Sequence, residues 1–415
     1  MIIRGVGRIV RTLGDTAVAV LPRARVGEGV FVHCASGKRI GGVVVAVERK
    51  DATIAAFDSL TGIAVGDRVE TSSDAQAGIL GFAALGRVLD ARCEAIDERE
   101  ALRGEREPIV CTAIAPLRRR PVDAPLWVGV RAIDGLLTVG RGARIGIFGA
   151  PGAGKTTLLE AIVRGVRADA CVLALIGERG REAASWIGRV DRRTTIVCAT
   201  SDKSAAQRSR AADVAMAQAG TLRERGLHVV LIVDSLARYC TALREQRCAL
   251  GESVGRGGYP PGVFADLARL LERAGNGACG SITMIATVLS DGADEREPLS
   301  DAARSLLDGH IVLSAELARA GRYPAVDVLA SASRTMGAVA DEGHASDALA
   351  VRRALALLER TKEARALGLG GDASGELARA VAAQGDLERF LAQGSSPSFP
   401  LDTLLALRGL GDQLR

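Results

Sequence analysis

Aromatic side chains are scarce in this chain of 415 residues: seven Phe, three Tyr and two Trp, 3% of the total. A protein that grips single-stranded nucleic acid by stacking needs a platform of such rings. The first 75 residues offer only Phe31 and Phe57, so a nucleic-acid partner is not expected. Paired cysteines are also missing. The eight cysteines, at 34, 93, 111, 171, 198, 240, 248 and 279, form no C-x-x-C pair, and several sit in apolar runs, so all are expected to be reduced, buried thiols. The four histidines, His33, His228, His310 and His344, have no metal-ligand spacing, and a zinc site is not expected. No window approaches the roughly 18 apolar residues of a membrane span. The start of the chain lacks the apolar run and cleavage site of a secretory signal. A cytoplasmic location follows. The net charge of +5 is small for this length and arginine is dispersed, which argues against a strongly polyanionic partner.

What is present is a globular balance, 48% hydrophobic and 25% charged residues, with a core to be built mainly from Ala, Val, Leu and Ile. Short alternating runs at 7–12, 17–21, 29–33, 40–47, 52–57 and 67–70, separated by turn dipeptides such as Gly14-Asp15 and Gly66-Asp67, predict a small antiparallel β-barrel or sandwich. Residues 75–125 lack regular patterning. From Arg144 the chain changes to apolar strands alternating with helix-length segments, at 145–148, 171–176, 194–199, 228–233, 281–288, 310–314 and 325–330. Such runs predict an α/β domain with a parallel sheet buried on both faces. After Asp341 only helices are expected, at 348–363, 374–384, 387–393 and 401–407. The division is therefore a barrel over 1–75, a linker and α/β core over 76–345, and a helical domain over 346–415.

The most informative stretch lies between the first core strand and the next helix. Gly149, Ala150, Pro151, Gly152, Ala153, Gly154, Lys155, Thr156 and Thr157 match G-x-x-x-x-G-K-[ST], the phosphate-binding loop. Glycine recurs because backbone N–H groups must approach phosphates without Cβ atoms in the way. Lys155 can reach the β- and γ-phosphates, Thr156 can ligate Mg²⁺, and the helix N-terminus adds its partial positive charge. The ligand predicted is a nucleoside triphosphate.

Hydrolysis of a triphosphate needs the metal held, the water oriented and the developing charge neutralised. Asp234 ends the apolar run 229–233, the pattern that sets a carboxylate beside Mg²⁺ and its waters; a helix N-cap is the competing reading. Glu178 opens the cluster Glu178-Arg179-Gly180-Arg181-Glu182 at another strand end, placed either to polarise water or to join a solvated loop of weak ion pairs. Arg334 follows a further strand end and is either an arginine finger or a surface charge. Arg238, one helical turn after Asp234, faces either the phosphates or solvent. Tyr323 either stacks on a base or packs beside Pro324. The glycine-rich segment 251–262 is either a mobile contact to a neighbour or a plain connector.

Together these segments resemble the ATPases of type III protein secretion systems, relatives of the flagellar export ATPases and of the rotary ATP synthase catalytic subunits. The resemblance rests on Pro125-Leu-Trp-Val-Gly-Val-Arg-Ala-Ile-Asp-Gly-Leu136, the phosphate loop, Gly177-Glu-Arg-Gly-Arg-Glu182, Tyr259-Pro-Pro-Gly-Val-Phe264, Leu307-Asp-Gly-His-Ile-Val-Leu-Ser314, Gly321-Arg-Tyr-Pro-Ala-Val-Asp327 and Ser331-Ala-Ser-Arg334. It implies a RecA-like core between a β-barrel and a helical domain, assembled as a homohexamer with ATP and Mg²⁺ between protomers. It assigns Glu178 to water activation, Asp234 to the metal's water shell, Arg179 and Arg238 to the γ-phosphate, Arg334 to a finger in trans, and Tyr323 to the adenine. The partners implied are stator and stalk proteins of the secretion apparatus, export substrates and their chaperones, at the cytoplasmic face of the inner membrane. A virulence or symbiosis system is favoured, with flagellar export as the alternative and a Rho-like translocase as the alternative of another class. Three departures stand out. The chain opens almost on the barrel, so the stator-binding helix is expected to be missing; Ala315 replaces a common arginine; and 368–372 replaces a more aromatic segment.

Overall fold

The computed structural model describes residues 5–189, 191–289, 297–367 and 375–415. Arg4, Ser374 and the divergent segment 368–372 lie outside them. The chain forms two compact units, Met1–Ala115 with Ala170–Arg273, and Pro116–Asp169 with Ala274–Arg415.

In the first unit, alternation of small and branched apolar residues produces a closed antiparallel barrel of six strands: Val6–Leu13, Thr16–Val20, Gly29–His33, Arg39–Glu48, Asp51–Ala56 and Arg68–Thr71. Ile9, Val30, Val32, Ile40, Val44, Ile54 and Val69 fill its interior. Burial of each contributes about 1.5–3 kcal/mol. The helix Ala205–Glu224 starts with a capping box between Ser204 and Gln207 and carries the residue that fastens the barrel. Arg210 lies 3.9 Å above the Phe57 ring and donates to Ala91 O at 2.9 Å, to Ala75 O at 3.1 Å and to Gln76 Oε1. Burial lowers its pKa to about 10, which leaves it charged at neutral pH. Phe57 is closed at 3% exposure, and Phe31 carries Arg39 at 3.9 Å on one face. The Phe57 ring is thus no open platform for a base.

The same unit contains a parallel sheet in the order Val88–Leu89, Thr194–Ala199, Ala170–Ile176, His228–Asp234. Every residue of Ala170–Ile176 is buried, as a strand covered on both faces requires. The two-residue strand Val88–Leu89 lies in the stretch where no regular structure was expected, since two residues carry no period.

The second unit orders its strands Val326–Ser333, Gly309–Leu313, Arg144–Gly149, Ser281–Leu289. Three run parallel as expected, but Val326–Ser333, the last of the runs placed in that sheet, pairs antiparallel with Gly309–Leu313 at its edge. The short helix Ala315–Arg319 reverses the chain beside the strand it has just left. Helices follow at Glu342–Arg360, Lys362–Ala366, Glu376–Ala382, Gln384–Leu391 and Pro400–Leu414. The first starts earlier than its apolar period suggests because Asp341 caps it, accepting from His344 N at 2.8 Å. The last runs well past 407. Gly411, which looks like a helix stop, is glycine because a Cβ there would collide with the Asp347 carboxylate.

All eight cysteines are free thiols, but Cys198 is half-buried and Cys248 and Cys279 are exposed, so the uniform burial expected of them does not hold. Among the described residues no helix is long and apolar enough to cross a membrane.

Candidate active site

The phosphate loop belongs to the second unit. The buried strand Arg144–Gly149 delivers the chain into it, and the helix Lys155–Gly165 leaves it with no acidic residue in its first turn. Its own first turn therefore adds no carboxylate to the partial positive charge of the helix N-terminus. Gly154 caps that helix at φ 89°, a left-handed conformation that a side chain would strain. Lys155 Nζ donates to Gly149 O at 2.6 Å and to Ala150 O at 3.4 Å, which holds the ammonium over the loop. Thr156 and Thr157 are exposed at the helix start. A Cβ at Gly154 would lie 3.4 Å from the Tyr323 ring. Tyr323, 41% exposed, borders a cavity of about 180 Å³ with Leu158, Ala161, Pro324 and the segment 393–395. The ring thus faces a cavity beside the loop instead of packing in a core.

Arg334 does not join this group. It is exposed, and its backbone N–H donates to Asp308 O at 2.9 Å. Asp308 in turn pairs with Arg144 at 3.1 Å, where the phosphate-loop strand begins. The register agrees: Ile145 lies level with Gly309 and Gly309 with Ser333, whereas Phe148 lies level with Val312 and Leu313 with Val326. Tyr323 is thus at the loop end of the sheet and Arg334 at the other end. At about 3.3 Å per residue the two ends are roughly 17 Å apart along the phosphate strand.

The carboxylates belong to the first unit. Glu178 follows the strand Ala170–Ile176, and Asp234 closes His228–Asp234, level with Leu175. Glu178 has a side chain only 9% exposed and pairs with Arg238 Nε at 3.1 Å; Arg238 also donates to Gly177 O. Burial pushes the Glu178 carboxyl up to about 8. A hydrogen bond with Glu182 and the negative charge of Asp234 push the same way, against the attraction of Arg238. The helix N-cap after this strand is Ser235, whose hydroxyl accepts from Arg238 N at 3.4 Å, so Asp234 does not serve as that cap. Arg179 is exposed at the start of the helix Gly180–Ile187. The charged cluster is therefore not one solvated loop: Glu178 is buried and paired, while Arg179, Arg181 and Glu182 are exposed.

Asp134 was not singled out in the sequence. It is wholly buried, accepts from Val128 N and Gly129 N at 2.8 Å each, and is pushed up to about 7 by burial. Its only sequence signal is an acid inside the apolar stretch 126–139. As donors for a metal, the Thr156 hydroxyl and Asp234 carboxylate are oxygens of the kind Mg²⁺ takes alongside substrate phosphates. Among the described residues no three His, Cys, Asp or Glu side chains cluster to hold a metal by themselves.

Residues 129–333 match the ATP synthase alpha/beta family, nucleotide-binding domain. A type 3 secretion system ATPase of Sinorhizobium fredii is 42% identical over 93% of this chain and 88% of its own length. A flagellum-specific ATP synthase of Pseudomonas aeruginosa is 40% identical over 94% and 90%. The chain belongs to this family of ATPases. Its fold matches the assembled ATPase EscN of the enteropathogenic E. coli type III secretion system, with a TM-score of 0.91 and 35% identity over 98% of this chain and 100% of that one. The same ATPase in complex with its central stalk EscO matches at 0.89. The expected architecture, a barrel before a parallel-sheet nucleotide-binding core and helices after it, is the one observed.

Proposed function

We propose that this ATPase hydrolyses ATP at sites shared between copies of itself, in a homohexamer of three-part protomers (1–75, 76–345 and 346–415). Export substrates would be unfolded and released from their chaperones at a type III secretion apparatus. The observation that carries the shared site is the position of Arg334, at the opposite end of the sheet from its own phosphate loop. An exposed arginine that cannot reach its own γ-phosphate is suited to reaching a neighbour's.

In this reading the loop N–H groups and Lys155 hold the β- and γ-phosphates, and Tyr323 borders the adenine. Thr156 holds Mg²⁺ directly and Asp234 holds its water shell; the metal, when bound, neutralises charge on the phosphates. Glu178 orients the attacking water and takes its proton. To do so it must be ionised, and a carboxyl held near pH 8 by burial is a base poised near the working pH. Arg238 and Arg179 assist at the γ-phosphate, and Arg334 supplies charge in trans, worth about 10³ to 10⁵ in rate. The 42% identity to a secretion ATPase and the match to EscN favour a virulence or symbiosis system over flagellar export. Stator and stalk proteins at the cytoplasmic face of the inner membrane are the partners this reading implies.

Mixed assemblies test the shared site. Arg334→Ala and Glu178→Gln should each be inactive alone, and a mixture should regain part of the turnover, because some interfaces then pair an intact Glu178 with an intact Arg334. No recovery at any mixing ratio would remove the trans finger.

A further inference from the structure

The cavity beside Tyr323 has one wall that the sequence did not point to, the segment 393–395 that follows the helix Gln384–Leu391. We propose that Gln393 is a positioning residue for the base of the nucleotide, holding this wall and Tyr323 at a fixed separation. The proposal rests on the reading of that cavity as the base site.

Four bonds carry it. The Gln393 backbone N–H donates to Tyr323 O at 2.7 Å. Its Nε2 donates to Gly129 O at 2.7 Å and to Ser396 O at 2.9 Å. Its Oε1 accepts from Arg131 N at 2.9 Å. The backbone N–H, both amide hydrogens and the amide oxygen are thus engaged with protein, so Gln393 shapes the pocket and does not itself read the edge of a base.

Its anchors are themselves fixed. The N–H of Gly129 is held by Asp134, and Arg131 donates from its guanidinium to Phe390 O and Arg389 O at 3.0 Å each, closing the end of the helix. Through Gln393 the C-terminal helices therefore set one side of the base pocket, while the helix Lys155–Gly165 supplies Leu158 and Ala161 on another. Because the phosphate loop makes none of these four bonds, loss of Gln393 should weaken what the base contributes and spare what the phosphates contribute.

The test compares ATP with a ligand that has phosphates and no base. In the full chain, Gln393→Met keeps the length of the side chain and removes the amide. It should raise KM for ATP about tenfold, the effect of losing one to two hydrogen bonds' worth of positioning, with kcat within about twofold. The inhibition constant of inorganic tripolyphosphate, competing with ATP, should not move. Gln393→Ala should give the same split, and the melting temperature shows whether either variant is folded. A parallel rise for tripolyphosphate, or an unchanged KM, overturns the proposal. Tyr323→Ala separates this from failure of the underlying reading. If it too leaves KM for ATP unmoved, the base does not bind in this cavity. If it raises KM while Gln393→Met does not, the cavity reading stands and the role of Gln393 falls.

Discussion

The unit that carries the phosphate loop offers main chain, whereas the unit that carries Glu178 offers side chains, one of them taken out of water. In the first, a contiguous stretch offers N–H groups, an ammonium and exposed hydroxyls at a helix start. In the second, Glu178 comes from one place in the sequence and Asp234 and Arg238 from another, and the burial of Glu178 raises its pKa. Under the proposed function, the difference teaches that binding and chemistry can be built by opposite means, one by shape and the other by solvent exclusion. They should therefore fail separately.

The largest expected effect comes from removing one principal group on each side. Lys155→Ala should weaken nucleotide binding and lower hydrolysis by about 10³-fold or more, since it removes the charge proposed to hold the β- and γ-phosphates. Glu178→Gln should lower phosphate release by about 10² to 10⁴-fold, the range for a lost general base, while nucleotide affinity measured by titration stays close to wild type. Loss of affinity in Glu178→Gln would break the comparison.

A smaller effect lies away from the chemistry. Arg210→Met should destabilise the unit that carries the barrel by about 1–3 kcal/mol, because Ala91 O and Ala75 O lose a buried donor. Denaturant unfolding measures it, and an unchanged midpoint would show that the barrel is fastened elsewhere.

A separate effect, on folding and not on turnover, is a pH dependence of stability. Glu178 is held at a higher pKa folded than its ordinary carboxylate value of 4.5, so between about 4.5 and 8 the unfolded chain gives up the proton first. Stability in the absence of nucleotide should therefore fall as pH rises through that window. Glu178→Gln removes the ionisation. Its melting temperature should exceed wild type at pH 8 and converge with it below pH 4.5, and parallel curves would mean that Glu178 is not held protonated.

The same contrast decides what was legible in the sequence. The phosphate loop was plain because phosphate geometry imposes glycine at fixed spacing within a few residues. The barrel strands were plain because alternation is local, and each observed strand ends within one residue of its expected limits. The burial of Glu178 and its pairing with Arg238, sixty residues on, were not, since nothing in the local sequence records which charges lose their water. The antiparallel edge Val326–Ser333 was hidden because an apolar run has no direction. Asp134 and Gln393 were hidden because their importance lies in backbone groups they satisfy, and those lie on other segments of the chain for Gln393 and in the turn just before it for Asp134.

If Arg334 acts in trans as proposed, the solitary chain is half an enzyme. Turnover per chain would then depend on how many chains are close at hand, so that a dilute pool would stay idle and a crowded one would work. In the proposed role this ties ATP consumption to arrival: local enrichment of copies would itself be the signal to start, with no separate inhibitor needed to prevent waste elsewhere.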